Sequence, residues 1–170
     1  DENFNFIASQ QSSNNYDPRL RPWYKGAFMN KSLFWTDVYI FATEKLPGVT
    51  TSFYFEDKLG RKGVFAVDIL LDNLVSFIVK QNIGYEGNIV VMDNELNVVA
   101  ASGQLNELKK LFLTKNEVKV QDLNKGFISA AIDVFITEKK SRFKFDYDKE
   151  SYVAYFKALK LTLDKKWKIL

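Results

Sequence analysis

The segment Tyr16-Asp17-Pro18-Arg19-Leu20-Arg21-Pro22-Trp23-Tyr24 puts two prolines, two arginines and three aromatic residues into nine positions. Each proline fixes its own φ and pushes the residue before it away from helical geometry, so Asp17 and Arg21 are expected to be extended. A guanidinium beside an indole and two phenols offers a planar donor fork for a carboxylate and flat faces that exclude water. The segment therefore reads as a small-molecule recognition loop. The same residues would also make a buried structural ion pair wrapped in aromatic packing, and the segment alone does not separate the two. Pro22 stands where proline is tolerated, in the first turn of a short helix.

Outward from this loop, strand patterns dominate. Phe4–Ala8 precedes it; Phe34–Phe41, Thr50–Phe55 and Gly63–Asp68 follow it, each rich in β-branched and aromatic residues. The last two are separated by the polar, glycine-bearing Glu56–Lys62, which suits an antiparallel hairpin. Between Ile69 and Lys80, apolar residues recur at spacings of three and four, the signature of an amphipathic helix that Gly84 stops. A second, similar program then begins: strand Asn88–Met92, turn Asp93-Asn94-Glu95, strand Asn97–Ala101, helix Leu105–Leu113 and a helix from Asp122 to Ile136. Strands Arg142–Tyr147, Tyr152–Leu161 and Lys166–Leu170 close the chain. The expected class is α+β, two modules spanning residues 1–84 and 85–170, each an antiparallel sheet flanked by helices. The first half is short of parts, and a flanking N-terminal helix and a final C-terminal strand are expected beyond this chain.

Composition narrows the chemistry. The chain has 170 residues, 46% of them hydrophobic, enough for folded cores, and no run of about 20 apolar residues that would span a bilayer. Asp1-Glu2-Asn3 lacks the basic flank of a signal peptide, which places any targeting segment outside these residues. There is no cysteine and no histidine, so thiol nucleophiles, imidazole bases, disulfides and the usual zinc ligand sets are unavailable. An enzyme would have to work with Asp and Glu alone, and Asp37 and Asp68 are the carboxylates near the aromatic segments; no catalytic motif accompanies them. The last 33 residues carry ten Lys or Arg against five acids, but these alternate with apolar residues, as in Lys166-Trp167-Lys168-Ile169. That is the wet face of a strand, and no nucleic-acid partner is expected. Asp93-Asn94-Glu95 and Asp146–Glu150 read as solvated turns, not as calcium loops, so neither a metal nor a cofactor is expected.

In this layout three segments resemble the double Cache (dCache) sensor domain of bacterial transmembrane signalling receptors: Tyr-Asp-Pro-Arg-x-Arg-Pro-Trp-Tyr at 16–24, Trp35-Thr36-Asp37-Val38-Tyr39, and Gly63-Val64-Phe65-Ala66-Val67-Asp68-Ile69. The resemblance implies two PAS-like modules with the long N-terminal helix outside the chain, a membrane-distal ligand-binding module up to residue 84 and a membrane-proximal module from residue 85. It implies a periplasmic or extracellular domain of a cell inner membrane protein, continuous with transmembrane helices and a cytoplasmic output domain of a chemoreceptor, histidine kinase or cyclase. Homodimerisation is a further family expectation.

Within the family, the amino-acid-binding members imply ligand roles for Tyr16, Arg21, Trp23, Tyr24, Tyr39 and Asp68: arginine and tryptophan on the ligand carboxylate, aspartate and tyrosines on its ammonium. The physics agrees, because a zwitterion needs a fixed cation and a fixed anion facing each other across a dry gap, with hydrogen-bond donors replacing lost water. Asp37 and Phe41 should share a strand face with Tyr39 and are included with the pocket. Phe41 stands where many amino-acid sensors carry a second carboxylate. Asp68, directly before a predicted helix, would alternatively serve as its N-cap. Arg19 is expected to brace the loop through Asp17. The leading expectation is a non-enzymatic sensor of an amino acid; an amine, a small carboxylate or a purine-like ligand, or a spacer with a vestigial pocket, are the alternatives.

Overall fold

The computed structural model describes residues 16–80, 87–102, 105–115, 117–162 and 165–170. The expected strand Phe4–Ala8, the Gly84 stop and the boundary between residues 84 and 85 lie outside the described residues.

The first sheet is organised by one long strand. β1 (Leu33–Trp35), β2 (Tyr39–Ile40), β3 (Pro47–Glu56) and β4 (Lys62–Leu70) form it, and every pairing runs through β3. β4 lies antiparallel along one edge of β3, from Gly48 opposite Leu70 to Glu56 opposite Lys62. β1 and β2 share the other edge, against Thr51–Phe53 and Pro47–Gly48. The hairpin at 57–61 forms as its composition predicts: the Asp57 carboxylate accepts from the Leu59 and Arg61 backbone N–H groups, and Gly60 takes a φ of 74°. The single strand expected over 34–41 is instead two short strands, because Thr36 leaves the run to exchange hydrogen bonds with Thr50.

Helix α1 (Pro22–Asn30) lies on this sheet, with Pro22 at its first position and Ala27 buried beneath it. It can approach closely because Gly26 has no side chain: a Cβ there would stand 2.2 Å from the Phe34 ring. Helix α2 (Leu71–Val79) starts two residues later than its apolar pattern suggests, since Ile69 and Leu70 remain paired in β4. Its buried residues Leu71, Val75 and Ile78 keep the predicted helical spacing.

The second half builds a four-stranded antiparallel sheet in the order β6-β5-β10-β9, from β5 (Val90–Met92), β6 (Val98–Ala101), β9 (Lys157–Lys160) and β10 (Lys166–Ile169). A separate hairpin pairs β7 (Arg142–Tyr147) with β8 (Glu150–Tyr155). Helix α3 (Leu105–Thr114) and helix α4 (Gly126–Glu138) complete it. The helix expected from Asp122 is divided into a 3₁₀ turn, Val120–Leu123, and α4, because Asn124 adopts left-handed geometry (φ 52°). The strand expected over 152–161 is interrupted at Phe156, which turns inward to stack on Phe135 with ring centroids 4.1 Å apart.

One apolar cluster runs through both halves, joining Val49, Leu71 and Val75 to Val90, Met92, Leu108 and Trp167. Trp35 meets Trp167 edge to face at 5.6 Å, Lys165 pairs with Asp37, and Lys109 reaches Asp72 at 2.5 Å.

Gly48 tests the organisation around β3. A Cβ at this position would lie 2.5 Å from the Phe41 ring and 2.6 Å from the Ile69 carbonyl oxygen. The carbonyl belongs to the paired backbone and has little room to retreat, so Gly48→Ala should destabilise the protein by about 1–3 kcal/mol. Thermal unfolding followed by circular dichroism should show a Tm lower by roughly 3–10 °C; an unchanged Tm would mean that the Phe41 environment is slack.

Candidate ligand site

The loop that begins the described chain is fixed from within. Pro18–Leu20 form a 3₁₀ turn capped by Asp17, whose carboxylate accepts from the Arg19 backbone N–H (2.9 Å), its Nε (2.9 Å) and its Nη2 (2.8 Å). These bonds, with the Arg19 side chain first, hold the Asp17 carboxyl below its ordinary pKa. Arg19 thus braces the loop as expected. Arg21 lies between the 3₁₀ turn and α1 with extended geometry (φ −77°, ψ 151°), so its side chain leaves the backbone where neither helix covers it.

From there the half-buried guanidinium reaches β2. Arg21 Nη2 donates to the Ile40 carbonyl at 2.9 Å, and Arg21 Cζ stands 5.4 Å from the centre of the Tyr39 ring. The Tyr39 hydroxyl lies 2.7 Å from Thr50 Oγ1, and Thr50 Oγ1 donates to Asp68 Oδ1 at 2.6 Å. Since the single Thr50 proton goes to the carboxylate, Tyr39 is the donor in the first of these bonds. The result is an ordered series across three adjacent strands: Arg21 over Tyr39 on β2, Thr50 on β3, Asp68 on β4. Thr50 and Asp68 are direct cross-strand neighbours. Among the described residues, neither Arg21 nor Asp68 forms an ion pair. Among the described residues, the guanidinium is therefore not half of a structural salt bridge.

The other expected residues fall into place around this series or away from it. Tyr16 is 45% exposed. Trp23 and Tyr24 occupy the first turn of α1 and meet edge to face at 5.7 Å; the Trp23 carbonyl accepts from Ser52 Oγ at 2.9 Å, tying the helix to β3. Tyr24 then stacks on Phe28, which abuts Tyr54. Asp68 is not a helix cap: it is paired inside β4, and Leu70 precedes α2 without a side-chain cap. The break of the 34–41 strand separates the residues expected on one face. Asp37 is exposed and turned to Lys165 of the second half, while Phe41 is buried (3% exposed), packed against Tyr39 at 5.1 Å and over Gly48. Beside Arg21 and Tyr39 opens a cleft of about 440 Å³, walled by Pro22, Val38 and Ile40 and, from the second half, Phe112 and Lys115.

Thr50, Thr36 and Ser52 were not anticipated. All three are at most 2% exposed, and the clue was available: Thr50-Thr51-Ser52 puts hydroxyls into a central strand, where apolar residues are the rule. The Tyr39 hydroxyl has a raised pKa, chiefly through burial and also through the Asp68 charge, while the Arg21 charge opposes the shift. Groups of acidic side chains able to hold a metal ion are absent among the described residues.

A short helix thus lies on the sheet, with the Arg21 guanidinium over the Tyr39 ring at one end of the series and the Asp68 carboxylate at the other. Residues 1–76, a little under half of the chain, match the family described as the methyl-accepting chemotaxis protein-like, first PDC sensor domain. Over 103 residues, 59% of the chain, it is 34% identical to the methyl-accepting chemotaxis protein McpA of Bacillus subtilis, of whose length that match covers 15%. The ligand-binding domain of the Pseudomonas fluorescens chemoreceptor CtaA, solved with L-alanine, superimposes with a TM-score of 0.62 at 18% identity, over 95% of this chain and 63% of that one. That of the Pseudomonas aeruginosa amino acid chemoreceptor PctC, solved with GABA, gives 0.60 at 17% identity, over 95% and 62%. The chain thus spans less than two thirds of these proteins.

Two outcomes follow from the series. Thr50→Val removes the hydroxyl that serves both Tyr39 and Asp68 and should cost about 1–3 kcal/mol in a urea titration; an unchanged midpoint would mean that Tyr39 and Asp68 find other partners. A raised folded-state pKa means that the stability owed to the neutral Tyr39 hydroxyl is complete below the ordinary tyrosine pKa of about 10 and is lost as pH rises through the folded value. The stability gap between the parent protein and Tyr39→Phe should therefore shrink between pH 8 and pH 11; a constant gap would contradict the shift.

Proposed function

We propose that this chain is the extracytoplasmic sensor of a chemoreceptor, that it captures a free amino acid, and that Arg21 and Asp68 are the two charged poles of the pocket. The observation that carries this reading is the pair itself: a guanidinium and a carboxylate, neither in an ion pair among the described residues, held in order by Tyr39 and Thr50. An α-amino acid is a zwitterion, and its desolvation is offset only where a cation meets its carboxylate and an anion its ammonium.

In this reading Arg21 and the Trp23 indole take the carboxylate, while Asp68, Tyr39, Tyr16 and Tyr24 take the ammonium and close the pocket. Phe41 backs Tyr39 and lends no charge, and Asp37 serves the contact between halves. The amino acids and the amino acid relative bound by CtaA and PctC support the ligand class. The chain acts by binding and not by catalysis. Residues 1–84 form the ligand-binding module and residues 85–170 the module toward the membrane. The chain belongs outside the inner membrane, periplasmic or extracellular, with membrane helices and a cytoplasmic output domain supplied elsewhere in the receptor. No helix among the described residues is long and apolar enough to cross a membrane.

A thermal-shift screen against the twenty amino acids, small organic acids, amines and purines, followed by calorimetry on each hit, tests the proposal. One or a few L-amino acids should raise Tm, and Arg21→Ala and Asp68→Ala should each weaken binding by about 2–5 kcal/mol, 30-fold or more, Arg21→Ala with little change in the unliganded Tm. Hits confined to amines or to plain acids would replace the amino acid by that class. Silence across the panel would favour a spacer role.

A further inference from the structure

The two halves enclose a second, smaller space far less open to ligands than the cleft at Arg21. Thr36, Asp37 and Val49 of the first half and Asp93, Asn97 and Trp167 of the second stand in its wall, and its volume is about 30 Å³. Two buried polar atoms there have no hydrogen-bond partner among the described residues: Trp167 Nε1 and Asn97 Oδ1. Trp167 itself is only 5% exposed. Leaving such groups unpaired is costly, and a polar cavity needs about 10–15 Å³ for one water molecule.

The charged groups around the cavity are already engaged. Asp37 is paired with Lys165. Asp93 Oδ1 accepts from the backbone N–H groups of Glu95 and Asn97, and its Oδ2 accepts from Asn97 Nδ2. Glu117 lies 3.7 Å from Lys119 Nζ. The Asp93 contact also fixes the Asn97 amide, since rotating it would set its oxygen against a carboxylate that only accepts. Its Oδ1 is thus an acceptor in need of a donor, and the indole N–H a donor in need of an acceptor. An anion would satisfy only the indole and a cation only the amide. Thr36 supplies a third group: its Oγ1 accepts from the Thr50 N–H at 2.9 Å, which leaves the hydroxyl proton to donate.

We propose that this cavity is a specific site for an ordered water molecule, which accepts from Trp167 Nε1–H and from the Thr36 hydroxyl and donates to Asn97 Oδ1. Three bonds are the usual complement of a buried water. The site joins β10 and the β5–β6 turn of the second half to the stretch between β1 and β2, and through Thr36 it touches Thr50. It stands independently of the ligand assigned to the cleft.

The test is water-to-indole cross-relaxation by NMR on the uniformly ¹⁵N-labelled protein. Its three tryptophans make three indole signals, and Trp167→Phe identifies the one that matters. Expected is a cross-peak between water and Trp167 Hε1 with the NOE and ROE signs of a molecule held longer than about a nanosecond, lost in Asn97→Leu while the amide spectrum stays dispersed. Should Asn97→Leu fail to fold, a crystal structure of the parent protein decides the matter through a solvent peak within about 3.2 Å of both atoms. No cross-peak at Trp167 Hε1, cross-relaxation typical of surface hydration, or an indole bonded directly to a protein carbonyl would each overturn the proposal.

Discussion

The arrangement of the first half turns on the buried hydroxyl of Thr50. Its side chain connects β2 to β4, and its backbone N–H and C=O connect to Thr36 in the gap between β1 and β2. Because a polar group without access to water must find partners inside the protein, these bonds fix more than Thr50 itself. They set where the 34–41 run breaks, which way Tyr39 faces, and how far Asp68 stands from Arg21. An apolar residue of the same shape would satisfy the core yet leave Tyr39 and Asp68 without their common partner.

The consequences extend to the second half through the same break. Released from β1, Asp37 turns to Lys165, while Trp35 packs edge to face on Trp167. Both partners lie at or just before β10, so the end of the chain is registered against the segment that carries Tyr39. A ligand can move a receptor only by its differential affinity for two arrangements. Here Tyr39, which stands between Arg21 and Asp68, and the contact between halves share one short stretch, residues 35–39, where a displacement of Tyr39 would be felt by Asp37 and Trp35 without a long intervening path.

How much of this was legible in the sequence varied by the kind of force involved. Helix positions held where an apolar periodicity met its burial, as in Leu71, Val75 and Ile78; the β3–β4 hairpin held because Asp57 and Gly60 carry their turn geometry locally. Arg21, Tyr39 and Asp68 were expected together because their types answer the demands of a zwitterion and because their motifs resemble a known family, and the structure brings them into one series. The breaks were not legible. Thr36, Asn124 and Phe156 interrupt elements through tertiary partners or a single backbone angle, and nothing in the alternation of Phe34–Phe41 or of Tyr152–Leu161 reveals them. For the same reason Asp37 was expected beside Tyr39: alternation assigns faces only while the strand continues.

A guanidinium just before α1 and a carboxylate on β4, neither in an ion pair among the described residues, are not what stability alone would select. A direct ion pair, or two apolar residues of similar volume, would make fewer demands on the surrounding chain. Arg21 instead gives one hydrogen bond to a carbonyl and lies over an aromatic ring, and Asp68 receives one from a hydroxyl, so each keeps bonding capacity in hand. The residues that hold them apart are costly in their own right, since Thr50 is a buried polar group and Tyr39 a desolvated phenol. Structure that maintains such capacity at the expense of tighter internal pairing is the expected form of a binding site before its ligand arrives, because stability is given up where function requires groups to remain available.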